Sequence, residues 1–194
     1  MKKNTKEEIV DSAVLLFNTY GTSSVSTNHI AEESGVSIGN LYYYFKNKEE
    51  IIREILECMI SDWDHIWVAP SNGDILDGLQ TIIRQSFHLE WKYRFFYREL
   101  IALMRIDEQL QQRHQEIEKQ RIEEQKKLIE NLINSGVIRN LRSPSDIDSL
   151  LTISWLISNY WLSFLESDGQ EITDEQVERG VQLILTVFKP YLAI

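Results

Sequence analysis

The chain has 194 residues, of which 30 are acidic and 20 basic, giving a formal net charge of −10. That length allows one large or two modest domains with real cores, and the acidic excess excludes a protein that coats nucleic acid by charge alone. A single cysteine, Cys58, rules out an internal disulfide and fits the cytoplasm.

Lys2 and Lys3 lead into polar sequence rather than an apolar leader, so no secretory signal is expected. Thr5, paired with Glu8 as a capping box, opens a first helix that ends at Gly21. Its apolar stripe is Ile9, Ala13, Leu16, Phe17 and Tyr20. After a loop from Thr22 to Val25, Ser26 caps a short second helix with Ile30 and Ala31 inside, and Gly35 takes the left-handed conformation that ends it. Val36 plugs the corner, and Ser37 caps a third helix running through Phe45. Ile38, Leu41 and Phe45 recur at helical spacing and can face inward, leaving Gly39, Asn40, Tyr42, Tyr43 and Tyr44 outside. A short helix pinned by a partner, with a polar and aromatic outer face, has the form of a recognition helix for the DNA major groove.

Asn47 and Glu50 form a capping pair at the start of a fourth helix, predicted from Lys48 to about Trp67. Lys48 opposes the helix dipole there, which makes sense if its ammonium meets a phosphate. Apolar residues from Ile51 to Trp63 cover more than one face, as in a helix joining two cores. The stretch from Ala69 to Gly73 is the clearest break. Helices from Asp74 to about Trp91 and from Tyr93 to Arg105 follow. A long polar helix from Asp107 to Asn134 carries a thin apolar stripe and closes at Gly136.

Ser143-Pro144-Ser145 marks the next start, and the last two helices span about 145–166 and 173–191, separated by Ser167-Asp168-Gly169. The uncharged run Ser149 to Leu165 is shorter than the ~20 residues of a membrane span, so no membrane association is expected. Apolar side chains go round the axis of the first of these helices and nearly round the second, so a second surface must cover them. The simplest cover is a second copy, a homodimer through a four-helix bundle. No β-like alternation appears anywhere, and the fold class expected is all-α.

From about Thr5 to Ile52 the chain resembles the TetR/AcrR family of bacterial one-component transcriptional regulators. The residues carrying the likeness are Ile9, Ala13, Phe17, Gly21, Ile30-Ala31, Gly35-Val36-Ser37, Gly39-Asn40-Leu41-Tyr42, Phe45 and Lys48-Glu49-Glu50. The resemblance implies an N-terminal three-helix helix-turn-helix domain, residues 1–48, and a larger helical bundle for effector binding and dimerisation, residues 49–194. It implies phosphate contacts from Thr27, Ser37, Tyr42 and Lys48, and base-edge contacts from Gly39, Asn40, Tyr43 and Tyr44. Glycine admits a close backbone approach, asparagine offers donor and acceptor, and tyrosine rings can pack on thymine methyls. Many relatives carry Lys or Arg where this chain has Ile38, which points here to packing or an apolar base contact. The first 53 residues hold six basic against seven acidic side chains. Positive charge must therefore be local, from Lys2, Lys3, Lys6, Lys46 and Lys48 near the DNA.

The resemblance further implies a small-molecule effector, largely apolar, among the central helices. Trp63, His88, Trp91, Tyr97, Arg98, Trp155 and Asn159 are the candidates for its site, each with the alternative of being plain core. Arg98, if it faced a cavity, would favour an acidic or acyl-type effector. The function expected is a repressor released from a double-stranded operator by that effector. A helical protein-interaction scaffold is the alternative, and it leaves the Gly39–Tyr44 surface unexplained. His29, His65, His88 and His114 are scattered, and no metal spacing, phosphate loop or nucleophile elbow appears, so no enzyme activity, metal or cofactor is expected.

Overall fold

The structure, a computed structural model, describes residues 4–66, 75–139, 141 and 144–193. Among these the chain is all-α, with nine α-helices and one isolated antiparallel bridge, Ile138 to Leu192. The predicted break at 69–73 and the lysines at 2 and 3 lie outside the described residues. No described helix is long and apolar enough to cross a membrane. The chain divides into two compact units, one of Met1–His65 with Lys92–Gln111 and the other of Ile66–Trp91 with Gln112–Ile194.

In the first unit, α1 (Thr5–Tyr20) is capped by Asn4, one residue before the expected Thr5. Asn4 Oδ1 accepts from Lys6 N at 2.7 Å, and Glu7, not Glu8, returns its carboxylate to Asn4 N. Asparagine caps better than threonine, so the box shifts by one. Ile9, Ala13 and Phe17 are fully buried, whereas Tyr20, expected on the same stripe, is largely exposed. Gly21, at φ 76°, lets the chain leave the helix. Ser26 caps α2 (Thr27–Glu33), with His29 Nδ1 accepting the Ser26 N–H in return. Gly35 turns the corner at φ 69°, and Ser37 caps α3 (Ile38–Tyr44). Asn47 Oδ1 accepts from Glu50 N at 2.9 Å to start α4 (Lys48–Ile66). Leu41 and Phe45 are buried, as are Ile30, Ile51 and Ile55 of the neighbouring helices. Ile38, expected inside with them, is 37% exposed. At the first helical position its side chain points back past the helix start rather than down onto the core.

The same unit takes in α6 (Arg94–Ile106) and the first residues of α7 (Glu108–Asn134). Phe95 of α6 packs on Phe17 with ring centroids 5.1 Å apart. A polar clasp adds direction. Buried Asn18 donates to Lys92 O at 2.8 Å and accepts from Phe95 N at 3.0 Å, while Glu99 receives the N–H and hydroxyl of Thr22. Arg53 of α4 pairs with Asp107, which also caps α7 by accepting from Leu110 N. Burial, followed by Glu54 and Asp62, pushes the half-buried Cys58 thiol up, which agrees with an unreactive helix residue.

The second unit is built from α5 (Ile75–Lys92), most of α7, α8 (Pro144–Ser167) and α9 (Asp174–Phe188). One core joins Phe87, Leu162, Val177, Val181 and Ile184; another joins Ile129, Leu132, Ile138 and Leu151. The last helix was expected to reach Tyr191, but α-geometry stops at Phe188 and a 3-10 turn covers Lys189–Tyr191. Pro190 has no N–H to continue the ladder. Gly180 lets α9 approach its neighbours: a Cβ there would lie 2.6 Å from Trp161 Cδ1 and 2.7 Å from Phe87 Cζ. Two rings would have to move to admit a methyl. Gly180→Ala should therefore lower stability by roughly 1–3 kcal/mol despite alanine's better helix propensity; a melting temperature unchanged or raised would show that the contact is slack.

Candidate nucleic-acid interface

Burying Leu41 and Phe45 forces the rest of α3 outward. Tyr43 is 81% exposed, Tyr42 50% and Tyr44 36%, and Gly39 and Asn40 are also exposed. The Tyr43 and Tyr44 rings meet edge to face, centroids 5.1 Å apart. Tyr42 OH lies 3.1 Å from Thr27 Oγ1, linking the start of α2 to the outer side of α3. Ser37 Oγ accepts from Asn40 N at 3.2 Å, so its role as a cap leaves its O–H to donate outward. Gly39 has ordinary helical backbone, and a Cβ added there would meet nothing within 4 Å. A glycine inside a helix costs ~1 kcal/mol relative to alanine, and no protein contact here requires the missing side chain.

Lys48 is placed differently from the others. Its Nζ donates to Thr22 O at 2.5 Å and to Val25 O at 3.0 Å. Two of its three N–H groups thus hold the loop that leads into α2. Lys6, expected near the DNA, instead pairs with Glu54 of α4 at 2.5 Å, its ammonium 5.7 Å from the Phe45 ring centroid. Lys46 is exposed.

A family model described as "Bacterial regulatory proteins, tetR family" matches residues 9–55, and one described as "Bacterial transcriptional repressor" matches residues 64–193. The chain belongs to the TetR family. It is 31% identical over 108 residues to the probable HTH-type transcriptional regulator YttP of Bacillus subtilis, covering 52% of each chain. It is 41% identical over 64 residues to the HTH-type transcriptional regulator QacR of Staphylococcus aureus, covering 33% of this chain and 34% of that one. The chain thus spans about half the length, or less, of these curated relatives. The crystal structure of a TetR-family transcriptional regulator from Marinobacter aquaeolei aligns with a TM-score of 0.86 at 28% identity, covering 98% of this chain and 92% of that one.

In this TetR-family chain the seven candidate effector residues fall in both compact units. Trp63, Tyr97 and Arg98 belong to the first; His88, Trp91, Trp155 and Asn159 belong to the second. Arg98 donates from Nη1 to Asn18 O at 3.0 Å, which fastens α6 to α1. His88 and Asn159 are exposed, and Trp63, Trp91 and Tyr97 are half-buried. Trp155 donates from Nε1 to Gln125 Oε1 at 2.6 Å, tying α8 to α7.

Sequence reasoning missed Glu90. It lies on α5 one turn beyond Phe87, on the inward side, and is 5% exposed. Ser158 of α8 donates its hydroxyl to Oε1 at 2.5 Å. Burial pushes this carboxyl up to about 8, with the Ser158 hydrogen bond opposing the shift. The local signal was a lone acid between Leu89 and Trp91 at core spacing from Phe87. Because the folded state holds this proton up to about pH 8 and the unfolded chain loses it near 4.5, stability falls as pH rises through that window. Glu90→Gln should melt higher than the parent at pH 8, with the gain vanishing at pH 4; an equal melting temperature at both pH values would refute the buried neutral acid.

Proposed function

We propose that the chain is a repressor that binds a double-stranded DNA operator as a homodimer in the cytoplasm and is released by a small-molecule effector. The observation that carries the reading is the outer side of α3: three tyrosines in solvent beside Gly39, whose missing side chain serves nothing in the protein. A backbone that must lie against base edges accounts for that glycine. Thr27, Ser37, Tyr42 and Lys48 are assigned to phosphates, and Gly39, Asn40, Tyr43 and Tyr44 to bases. The exposed Ile38 is an apolar base contact. DNA recognition lies within residues 1–48 and effector binding and dimerisation within 49–194.

The pairing surface is α8. Ile153, Leu156, Tyr160 and Phe164 are exposed at helical spacing, with Leu156 at 66% and Tyr160 at 63%. Together they form an apolar stripe of the sort that marks an interface. The apolar side of α9 is mostly spent inside its own unit, at Val177, Val181 and Ile184, so α8 contributes the greater share. Two-fold pairing suits an operator whose two half-sites lie about one DNA turn apart. Effector binding acts by moving α4 and α6: Lys48 and Glu99 both grip the Thr22–Val25 loop, so displacing either helix re-aims α2 and α3.

Gel shift and footprinting against the promoter region of its own gene test the site. Gly39→Ala should raise the melting temperature slightly while weakening operator binding at least tenfold, and Tyr42→Ala with Tyr43→Ala should abolish the footprint. An intact footprint in the double variant would remove the assignment. Leu156→Glu should convert a dimer to a monomer in sedimentation and lose operator binding with it; a dimer of undiminished affinity would put the interface elsewhere.

A further inference from the structure

The interior of the second unit holds one polar group whose bonding is incomplete. Glu90 is buried, and among the described residues Ser158 is its one polar partner, through Oε1. Oε2 is therefore left without a partner among the described residues, lacking an acceptor for its proton in the neutral acid and a donor once ionised. In a low-dielectric setting this disfavours the folded state unless something supplies one. The setting is apolar and aromatic. Phe87 and Leu162, each a turn away along α5 and α8, are core residues, and Trp91, Ile157 and Trp161 pack against that core. Trp155, one turn before Ser158, has its N–H engaged by Gln125, so what it can still offer a ligand is its ring face.

We infer that Glu90 and Ser158 form the polar end of a binding site for a monovalent organic cation, a protonated amine carried on an apolar or aromatic body. This deepens the effector reading above and rests on it. A protonated amine brings N–H donors to Oε2 and a charge to the carboxylate, and indole faces attract it further. An acidic effector would gain no opposite charge from the neutral Glu90–Ser158 pair. The features that might have drawn one are committed elsewhere: Arg98 holds Asn18 in the first unit, and Arg121 pairs with Glu124 at 2.9 Å.

Among the described residues no charged side chain is a cause of the Glu90 shift; burial and the Ser158 hydroxyl set its titration. In the ligand-free protein it keeps its proton to about pH 8. A cation that pairs with the carboxylate must displace that proton, so affinity should rise about tenfold per pH unit below 8 and level off above it. A neutral ligand accepting a hydrogen bond from the protonated acid would bind with the same affinity at every pH below 8 and lose affinity above it.

Calorimetric titration of the full chain with 2-phenylethylammonium, 2-phenylethanol and phenylacetate varies the head group on one body. The cation should bind at least tenfold more tightly than the other two at pH 7, release about one proton, and gain about tenfold from pH 6 to 7. Glu90→Gln, checked for fold by circular dichroism, should lose that preference, whereas Ser158→Ala should weaken it without reversing it. The absence of a cation preference, its survival in Glu90→Gln, or an affinity that falls with rising pH would each overturn the site. Operator release is scored separately by gel shift. A neutral or anionic compound that binds and releases the operator would defeat the cation assignment and leave the repressor reading standing. A cation that binds through Glu90 without weakening operator binding would leave the site standing and count against the regulatory reading.

Discussion

A helix of seven residues has no stability of its own in water, because nucleation costs more than so few hydrogen bonds return. Helix α3 exists only because Leu41 and Phe45 are buried, with Ser37 capping its start. Everything proposed for this chain depends on that burial, since the two inward anchors determine which side chains must face solvent. Two glycines show how differently the same residue can be required. Gly35 sits at φ 69°, a conformation its own fold demands. Gly39 sits in ordinary helix with open space over it, and its demand must come from outside the protein.

Polar ties extend the small-helix unit well beyond its three helices. Asn18 answers both Lys92 O and Phe95 N, Thr22 is held by Glu99, and Lys48 closes on two carbonyls of the same loop. Each tie satisfies backbone groups that would otherwise be stranded at helix ends. Their directionality matters more than their energy. Apolar packing between α1 and α6 would tolerate sliding, whereas a carboxamide bonded at both ends fixes register, so a displacement of α6 is delivered to the loop before α2.

The features legible in the sequence were those whose causes are local. Ser26, Gly35, Ser37 and Asn47 act within a turn of themselves, and each sits where spacing and residue type placed it. Long amphipathic stretches gave the helices, and Pro190 alone shortened the last one. What could not be read depended on distant partners. Asn18 finds its partners 74 and 77 residues away, Lys6 is taken by Glu54, and Arg98 turns to a carbonyl of α1. Ile38, which the sequence leaves between packing and an apolar base contact, is exposed: helical period assigns a face but not the end effects of a two-turn helix. Aromatic density marks candidate effector residues without distinguishing one compact unit from the other.

The second unit shows how buried polarity separates structure from function. Trp155 and Gln125 satisfy each other across α7 and α8, and Trp161 donates to Gln176 O at 2.8 Å; such pairs specify how helices seat and need no further partner. Glu90 differs, because its one bond from Ser158 leaves a carboxyl oxygen unanswered and an acid neutralised well above its ordinary range. Leucine at that position would remove both penalties, and glutamine would keep the Ser158 bond while removing the titration, so the fold has no need of an acid there. Surface acids contribute to the net charge of −10 without such a cost. A carboxyl held inside against the stability of its own domain is accounted for by a partner that arrives from solution, and an arriving positive charge is what would return the lost solvation.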